Sequence, residues 1–296
     1  MDPHKYTTSD PLLKRLWGYL LERFPPVAYT VLVALFGGSA FALIDITSGE
    51  GVSLSVAVRA SLVVLLVFFH LRVMDEHKDQ EGDRIAYPDR LLTRGVVTLP
   101  LLAKTAFVAV VAEALIAASI SMYAVGFWAA ALGFTLLMRV EFGVGDWLNK
   151  HLVWYAVSHN PIVAWLAVFL WSVTGSPWTA EYGQYVLVVS LGSLAFEVGR
   201  KVRLPEEEIA GVESYSSVLG RERADWLLIA TRWLTSILLA ALAMQVGNVW
   251  VAGLAILLGI AAHVLLAKHT LRAKAVEGLA TAMLLIDFVL IWGLGW

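Results

Sequence analysis

Asp75, Asp79 and Asp83 recur every four residues in the segment Arg72-Val-Met-Asp-Glu-His-Lys-Asp-Gln-Glu-Gly-Asp83, with Glu76 beside the first of them. On a helix that spacing puts the three aspartates on one face, drifting about 40° per step. Like charges at i,i+4 repel by roughly a few tenths of a kcal/mol per pair, so the pattern makes sense only if something positive sits against it. Oxygen ligands suit a divalent cation, and Mg2+ is usually held by one or two carboxylates together with substrate phosphates. Arg72 precedes the acids, and Arg84, Arg90 and Arg94 follow them. Guanidinium groups grip phosphate oxygens in pairs. Carboxylates for a metal next to arginines for oxygens describe a diphosphate site. A solvated charged loop is the plainer reading of the same residues. The four-residue register, placed directly after the apolar run Val52 to Val73, favours the site. Pro88 should end this helix.

The rest of the chain must hold these acids at a membrane surface. Of its 296 residues 59% are hydrophobic and only 16% are charged. A soluble domain carries about a quarter charged residues, so the composition points to a polytopic, all-α membrane bundle. Cysteine is absent, which excludes disulfides and thiolate metal sites. Nothing suggests a nucleic-acid partner. Ser9-Asp10-Pro11 opens a helix over 10–24, with Leu12, Leu16, Leu20 and Phe24 at helical spacing. This amphipathic segment is expected on the membrane surface, ended by Pro25-Pro26. Nine spans can be drawn after it, near 27–46, 54–74, 97–119, 122–140, 159–175, 183–200, 226–246, 249–267 and 275–295.

Lysine and arginine set the expected orientation. With nine spans, Lys5, Lys14, Arg15 and Arg23, the Lys78–Arg94 group, Lys150, the Arg200–Arg223 group and Lys268, Arg272 and Lys274 all fall on one side. Arg59 alone belongs clearly to the other. That basic side is expected to be cytoplasmic, with the N-terminus inside. Three sizeable loops, 75–96, 141–158 and 201–225, lie there. Glu113, inside the third span, and Glu277, near the start of the ninth, are intramembrane carboxylates and hence functional candidates, unless each pairs with another span residue. His70 and His263 are expected to pack or hydrogen-bond within the bundle.

The acidic segment, Asp75-Glu-x-x-Asp79-x-x-x-Asp83 followed by Pro88-x-Arg90 and Gly95, resembles the first aspartate-rich motif of the UbiA superfamily of intramembrane prenyltransferases. That motif commonly reads N-D-x-x-D-x-x-x-D, then P-x-R-P and a glycine. Here Asp75 stands at the asparagine and Leu91 replaces the proline after Arg90. The motif follows the second span, as in the family. The second family motif, between spans six and seven, matches in Gly211, Ser214 and Leu219-Gly220, with Glu207 in the last acidic position. Arg203 stands where an aspartate is usual, and Arg200 where some members carry an acid.

The resemblance implies a single membrane domain over 26–296 behind a cytoplasmic amphipathic segment over 1–25, in a bacterial or archaeal cell membrane. It implies a Mg2+-dependent transfer of a prenyl group from a polyprenyl diphosphate to a small-molecule or lipid acceptor that the residues do not select. Asp75, Glu76, Asp79 and Asp83 are then the catalytic and metal-binding set, with Glu207 retaining a metal or acid role. Arg72, Arg84, Arg90, Arg94, Glu197, Arg200, Lys201 and Arg203 bind substrate. Three readings of the altered second motif stay open. Fixed cations contact the diphosphate in place of a second metal, or Arg200–Glu208 is an anchor and a helix start, or the second metal is lost together with transfer. A terpene cyclase and a lipid-binding or transport protein are the rival functions on the same scaffold.

Overall fold

A computed structural model describes residues 3–209 and 211–295. The first half forms helices α1 (Leu12–Arg23), α2 (Pro26–Ser48), α3 (Leu54–Lys78), α4 (Gln80–Ala86), α5 (Leu99–Ile120), α6 (Met122–Arg139), α7 (Gly145–Leu148) and α8 (Leu152–His159). The second half forms α9 (Pro161–Ser172), α10 (Ala180–Gly199), α11 (Tyr215–Leu219), α12 (Arg221–Gln245), α13 (Val249–Leu266) and α14 (Ala273–Trp292). No strand occurs among the described residues. Polar side chains start several of the long helices where the chain enters the apolar layer. Ser53 accepts from the Val56 amide, Ser121 from Ala124, Thr179 from Tyr182 and Asn248 from Val251. Each cap satisfies a backbone donor that has no partner within the helix.

Eight helical segments among the described residues are long and apolar enough to cross a membrane. They match eight of the nine expected spans. The remaining one, α10, has 20 residues but a more polar sequence, with Glu181, Gln184, Ser190, Ser193 and Glu197. It packs against α2, α9, α12 and α14, so protein rather than lipid covers much of its surface. Tyr182, Tyr185, Val188 and Val189 of α10 lie in the main core with Phe36, Leu43, Val63, Leu170, Leu239 and Phe288. The fifth span begins earlier than expected, at Leu152, and runs through α8 and α9 to Ser172. Pro161 is tolerated because it occupies the first position of α9, where its missing N–H costs little. The expected 141–158 loop is therefore helical from Leu152 onward.

Several buried polar groups within the bundle find partners, as a low-dielectric interior favours. His70 Nδ1 lies 2.8 Å from Glu113 Oε1, and Trp128 Nε1 donates to Glu113 Oε2 at 3.0 Å. Glu113 thus pairs with span residues on two other helices. Arg232 makes a two-pronged contact with Asp287, at 2.5 and 2.8 Å, joining α12 to α14. Trp233 Nε1 donates to His263 Nδ1 at 3.4 Å.

Candidate active site

The acidic face begins as the sequence suggests and then bends. The i to i−4 hydrogen bonds run on through Asp79 to Asp75, Asp83 to Asp79 and Tyr87 to Asp83, each at 2.9 Å. Asp79, at φ −88° and ψ 0°, separates α3 from α4, and the helix ends at Tyr87, just before Pro88. Asp75 and Asp79 therefore sit one turn apart at the end of α3. Neither carboxylate has a hydrogen bond or an ion pair with any described residue. Both are exposed, yet the charges of Arg72, Asp79, Lys78 and Arg200 all act on Asp75. Asp79 feels Asp83, Arg72, Lys201 and Lys78. Burial, reinforced by the Asp83 charge, pushes the Asp79 carboxyl above its ordinary range. The two exposed carboxylates mark the charged end of the bundle, its mouth.

Across this mouth stands the end of α10. Glu197 pairs with Arg200 at 2.5 Å and with Lys201 at 2.8 Å. Arg200 keeps 41% of its side chain exposed, and its charge reaches Asp75 and the Tyr29 phenol of α2. The resemblance puts a carboxylate cluster here; this chain puts two cations on one glutamate. Arg203 lies deeper, its backbone N–H donating to Ser216 Oγ at 2.6 Å and its guanidinium 4.0 Å from Glu208.

Several expected site residues are placed elsewhere. Glu76 is 1% exposed and turns away from Asp75, its Oε1 bound by Arg23 at 2.6 Å and by Arg72 at 3.1 Å. Its neighbours on a helix point about 100° apart, so adjacency to Asp75 in sequence did not place it on the same face. Asp83, carried past the bend, pairs with Arg90 and lies 3.7 Å from Arg23. Glu207 is not beside the other acids' cations: its Oε2 accepts the Ala273 amide at 2.8 Å and the Leu204 amide at 3.2 Å. It caps the start of α14, and these amides, above all that of Ala273, hold its carboxyl below the ordinary range. Pro205–Glu207 itself forms a single 3-10 turn, and the Glu207 carboxylate is engaged by two backbone amides. Arg84 is exposed on α4, and Arg94 reaches the Tyr6 carbonyl at 3.3 Å.

The sequence reading missed Lys78, Tyr155, Tyr29 and Arg23 as participants. Lys78 reaches sideways from α3, donating to the Tyr155 hydroxyl at 2.7 Å and pairing with Glu141 at 3.4 Å. Glu141 and Phe142 both hold positive φ, at 49° and 54°, a strained pair in the turn after α6, with the Phe142 ring 5.5 Å from that of His159 in α8. Tyr29, stacked on Phe24 at 3.8 Å, lies within the electrostatic reach of Arg72, Arg200 and Asp75. Arg23 links the N-terminal helix to the acids. Only Lys78, one residue before Asp79, carried a sequence signal, because the other three lie far from either motif.

A two-carboxylate site is the arrangement that Mg2+ accepts most readily, since the ion keeps waters and takes substrate phosphates as further ligands. No cluster of three or more acidic, histidine or cysteine side chains suited to an all-protein metal cage occurs among the described residues. Asp75 and Asp79, free of other partners, fit such an ion; Glu76 and Glu207, each already engaged, do not. Away from the mouth, an apolar groove of about 720 Å3 opens between α2, α3 and the C-terminal turn, lined by Phe41, Leu62, Leu65 and Trp292 with Asp45 at its far end.

No family model and no curated protein matches the sequence. Solved structures do. A UbiA homologue from Aeropyrum pernix K1 superposes with a TM-score of 0.65 at 17% identity, over 90% of this chain and 96% of that one. A UbiA homologue from Archaeoglobus fulgidus gives 0.59 at 15%, over 93% and 99%. A digeranylgeranylglyceryl phosphate synthase gives 0.60 at 16%, over 91% and 97%. At these identities the likeness is one of architecture, and it extends over nearly the whole of both chains. The protein is an all-helical, polytopic bundle with the fold of the UbiA homologues.

Proposed function

We propose that the protein is a Mg2+-dependent intramembrane prenyltransferase that moves a prenyl group from a polyprenyl diphosphate to an acceptor. One observation carries the reading: Asp75 and Asp79, two carboxylates without a hydrogen-bond or ion-pair partner among the described residues, stand at the end of α3 within the field of Arg72, Arg200 and Lys201. Acids that gain nothing from each other persist where a ligand neutralises them. The mouth lies at the end of the apolar bundle, so a charged head and an apolar tail are accommodated together. The tail fits between helices, with the groove beside α2 and α3 continuing the apolar surface.

Asp75 and Asp79 would hold Mg2+, which when bound neutralises diphosphate oxygens. Arg72, Arg200 and Lys201 gather the remaining negative charge, and they do so as fixed positive groups that need no second ion. As the bond from the allylic carbon to oxygen breaks, its electron pair leaves with the diphosphate. The Tyr29 ring, within the same field as Asp75 and Arg200, offers an aromatic face to the positive charge developing on carbon. The acceptor then forms the new bond and gives up its proton. Arg90 stacks over the Tyr87 ring at 3.7 Å in the segment that follows the acids.

The test is diphosphate release by purified protein given Mg2+ and prenyl diphosphates of several chain lengths, with and without EDTA. Release that stops with EDTA and in Asp75→Asn supports the reading. Release indifferent to EDTA removes the metal from it, and no release at any chain length defeats it. Cyclic products formed from diphosphate alone would establish the cyclase instead.

A further inference from the structure

The N-terminal helix is more than a surface anchor. Tyr6 and Tyr19 are buried with Val73, Leu91, Val96, Val97 and Leu102, so α1 docks on the end of α3 and on the loop that follows the acids. Gly18 permits the close approach: a Cβ there would meet the Tyr6 ring at 2.8 Å. Leu13, Trp17 and Leu21, the outward stripe of α1, remain exposed. Polar contacts then fix the register. Arg15 Nε donates to the Val96 carbonyl at 2.6 Å, and Glu22 accepts the Leu91 amide at 3.1 Å. Arg23 binds Glu76 at 2.6 Å and faces Asp83 at 3.7 Å. The Leu91 amide exists only because leucine replaces the proline of the motif that this segment resembles, since proline has no N–H to donate. The substitution and its acceptor are thus found together in one contact.

We propose that α1 is a clamp on the acidic segment and that Arg23 is its positioning residue. The clamp acts where the helix bends at Asp79. Without it, α4 and the loop to Leu91 lose their polar ties to α1, and the Asp83–Arg90 pair, internal to this segment, does not fasten it to the bundle. With it, Glu76 anchors α3 on one side of the bend, and Glu22 holds Leu91 beyond it. Asp79 and Asp83 are thereby held against the mouth. This functional role rests on the prenyl diphosphate reading, whereas the clamp itself is a property of the apo protein.

The experiment uses full-length protein in lipid nanodiscs, comparing wild type with Arg23→Gln, Arg23→Lys and Glu22→Gln. Lys14→Gln is the control, because Lys14 on the same helix pairs with Asp10, away from the acidic segment. Amide hydrogen exchange reads the clamp directly. Residues 79–92 should exchange at least tenfold faster in Arg23→Gln and Glu22→Gln, with Arg23→Lys partly restored and α12 unchanged. Diphosphate release reads the consequence: a higher KM for prenyl diphosphate and a higher Mg2+ half-saturation, with kcat altered less. Unchanged exchange in 79–92 would overturn the clamp, and so would acceleration spread equally through α12. A clamp seen by exchange in a wild-type protein that releases no diphosphate would sink the enzymatic reading alone.

Discussion

The exchange of acids for cations at the end of α10 gives the sharpest quantitative expectation. Arg200 is held by Glu197 at 2.5 Å and projects its charge to Asp75 and Tyr29. If it contacts the departing diphosphate, Arg200→Gln removes a hydrogen bond between charged groups, worth about 1.5–3 kcal/mol. Its side chain is 41% exposed, so water competes and the lower end applies. About 1.5 kcal/mol is roughly a tenfold loss in kcat/KM. Glu197 keeps Lys201 at 2.8 Å, so the local fold should survive. Arg200→Asp goes further, placing a second acid beside Glu197. Diphosphate release by this variant should fall more than tenfold at low Mg2+ and recover at high Mg2+, with the metal dependence turning sigmoid. The wild type, with one ion in the mouth, should show a simple hyperbola. The assay is initial-rate diphosphate release over a Mg2+ titration at fixed ionic strength. A sigmoid wild-type curve together with an unimpaired Arg200→Gln would refute the idea that fixed cations replace a second ion.

Other outcomes follow from the same geometry. Asp75→Asn and Asp79→Asn should each lower diphosphate release by about two orders of magnitude or more while shifting unfolding in detergent by no more than about 0.5 kcal/mol, because neither carboxylate has a partner to lose. Glu76→Gln should do the reverse, destabilising the protein by about 3 kcal/mol by leaving Arg23 and Arg72 without their shared acid; an active-site loss with unchanged melting would restore Glu76 to the metal set. Asp287→Asn should cost about 3 kcal/mol in the same unfolding assay, whereas Arg232→Met with Asp287→Leu should cost less than that single change. Glu207 titrates below the ordinary range, so its contribution is complete above the unfolded glutamate value and is lost as pH falls through the lower folded value. Glu207→Gln should erase that part of the acid dependence of melting and leave the Mg2+ requirement as it was.

Much of the bundle was legible because lipid imposes a simple rule on helix length and apolarity. Eight spans follow from that rule. The boundary of the fifth did not: that span begins at Leu152, because α8 and α9 run together through Asn160, which keeps helical φ and ψ. At the site, the register of Asp75 and Asp79 was readable from spacing alone. The roles of Glu76 and Glu207 were not, because a charge count cannot tell a free carboxylate from one already engaged. Glu76 is taken up by an arginine 53 residues earlier, and Glu207 by an amide 66 residues later. Tyr155 and Arg23 were invisible for the same reason: each enters through a long-range contact made by packing, with no local pattern to announce it.

The polar character of α10 bears on how the chain is assembled. A segment with Gln184 and two glutamates partitions poorly into hydrocarbon by itself, and its entry depends on surfaces already there. Gln184 donates to the Leu238 carbonyl of α12, a partner synthesised later. Biogenesis therefore has an order written into it: α10 settles only as its downstream companions arrive, and any lesion that delays them strands the helix that carries Arg200.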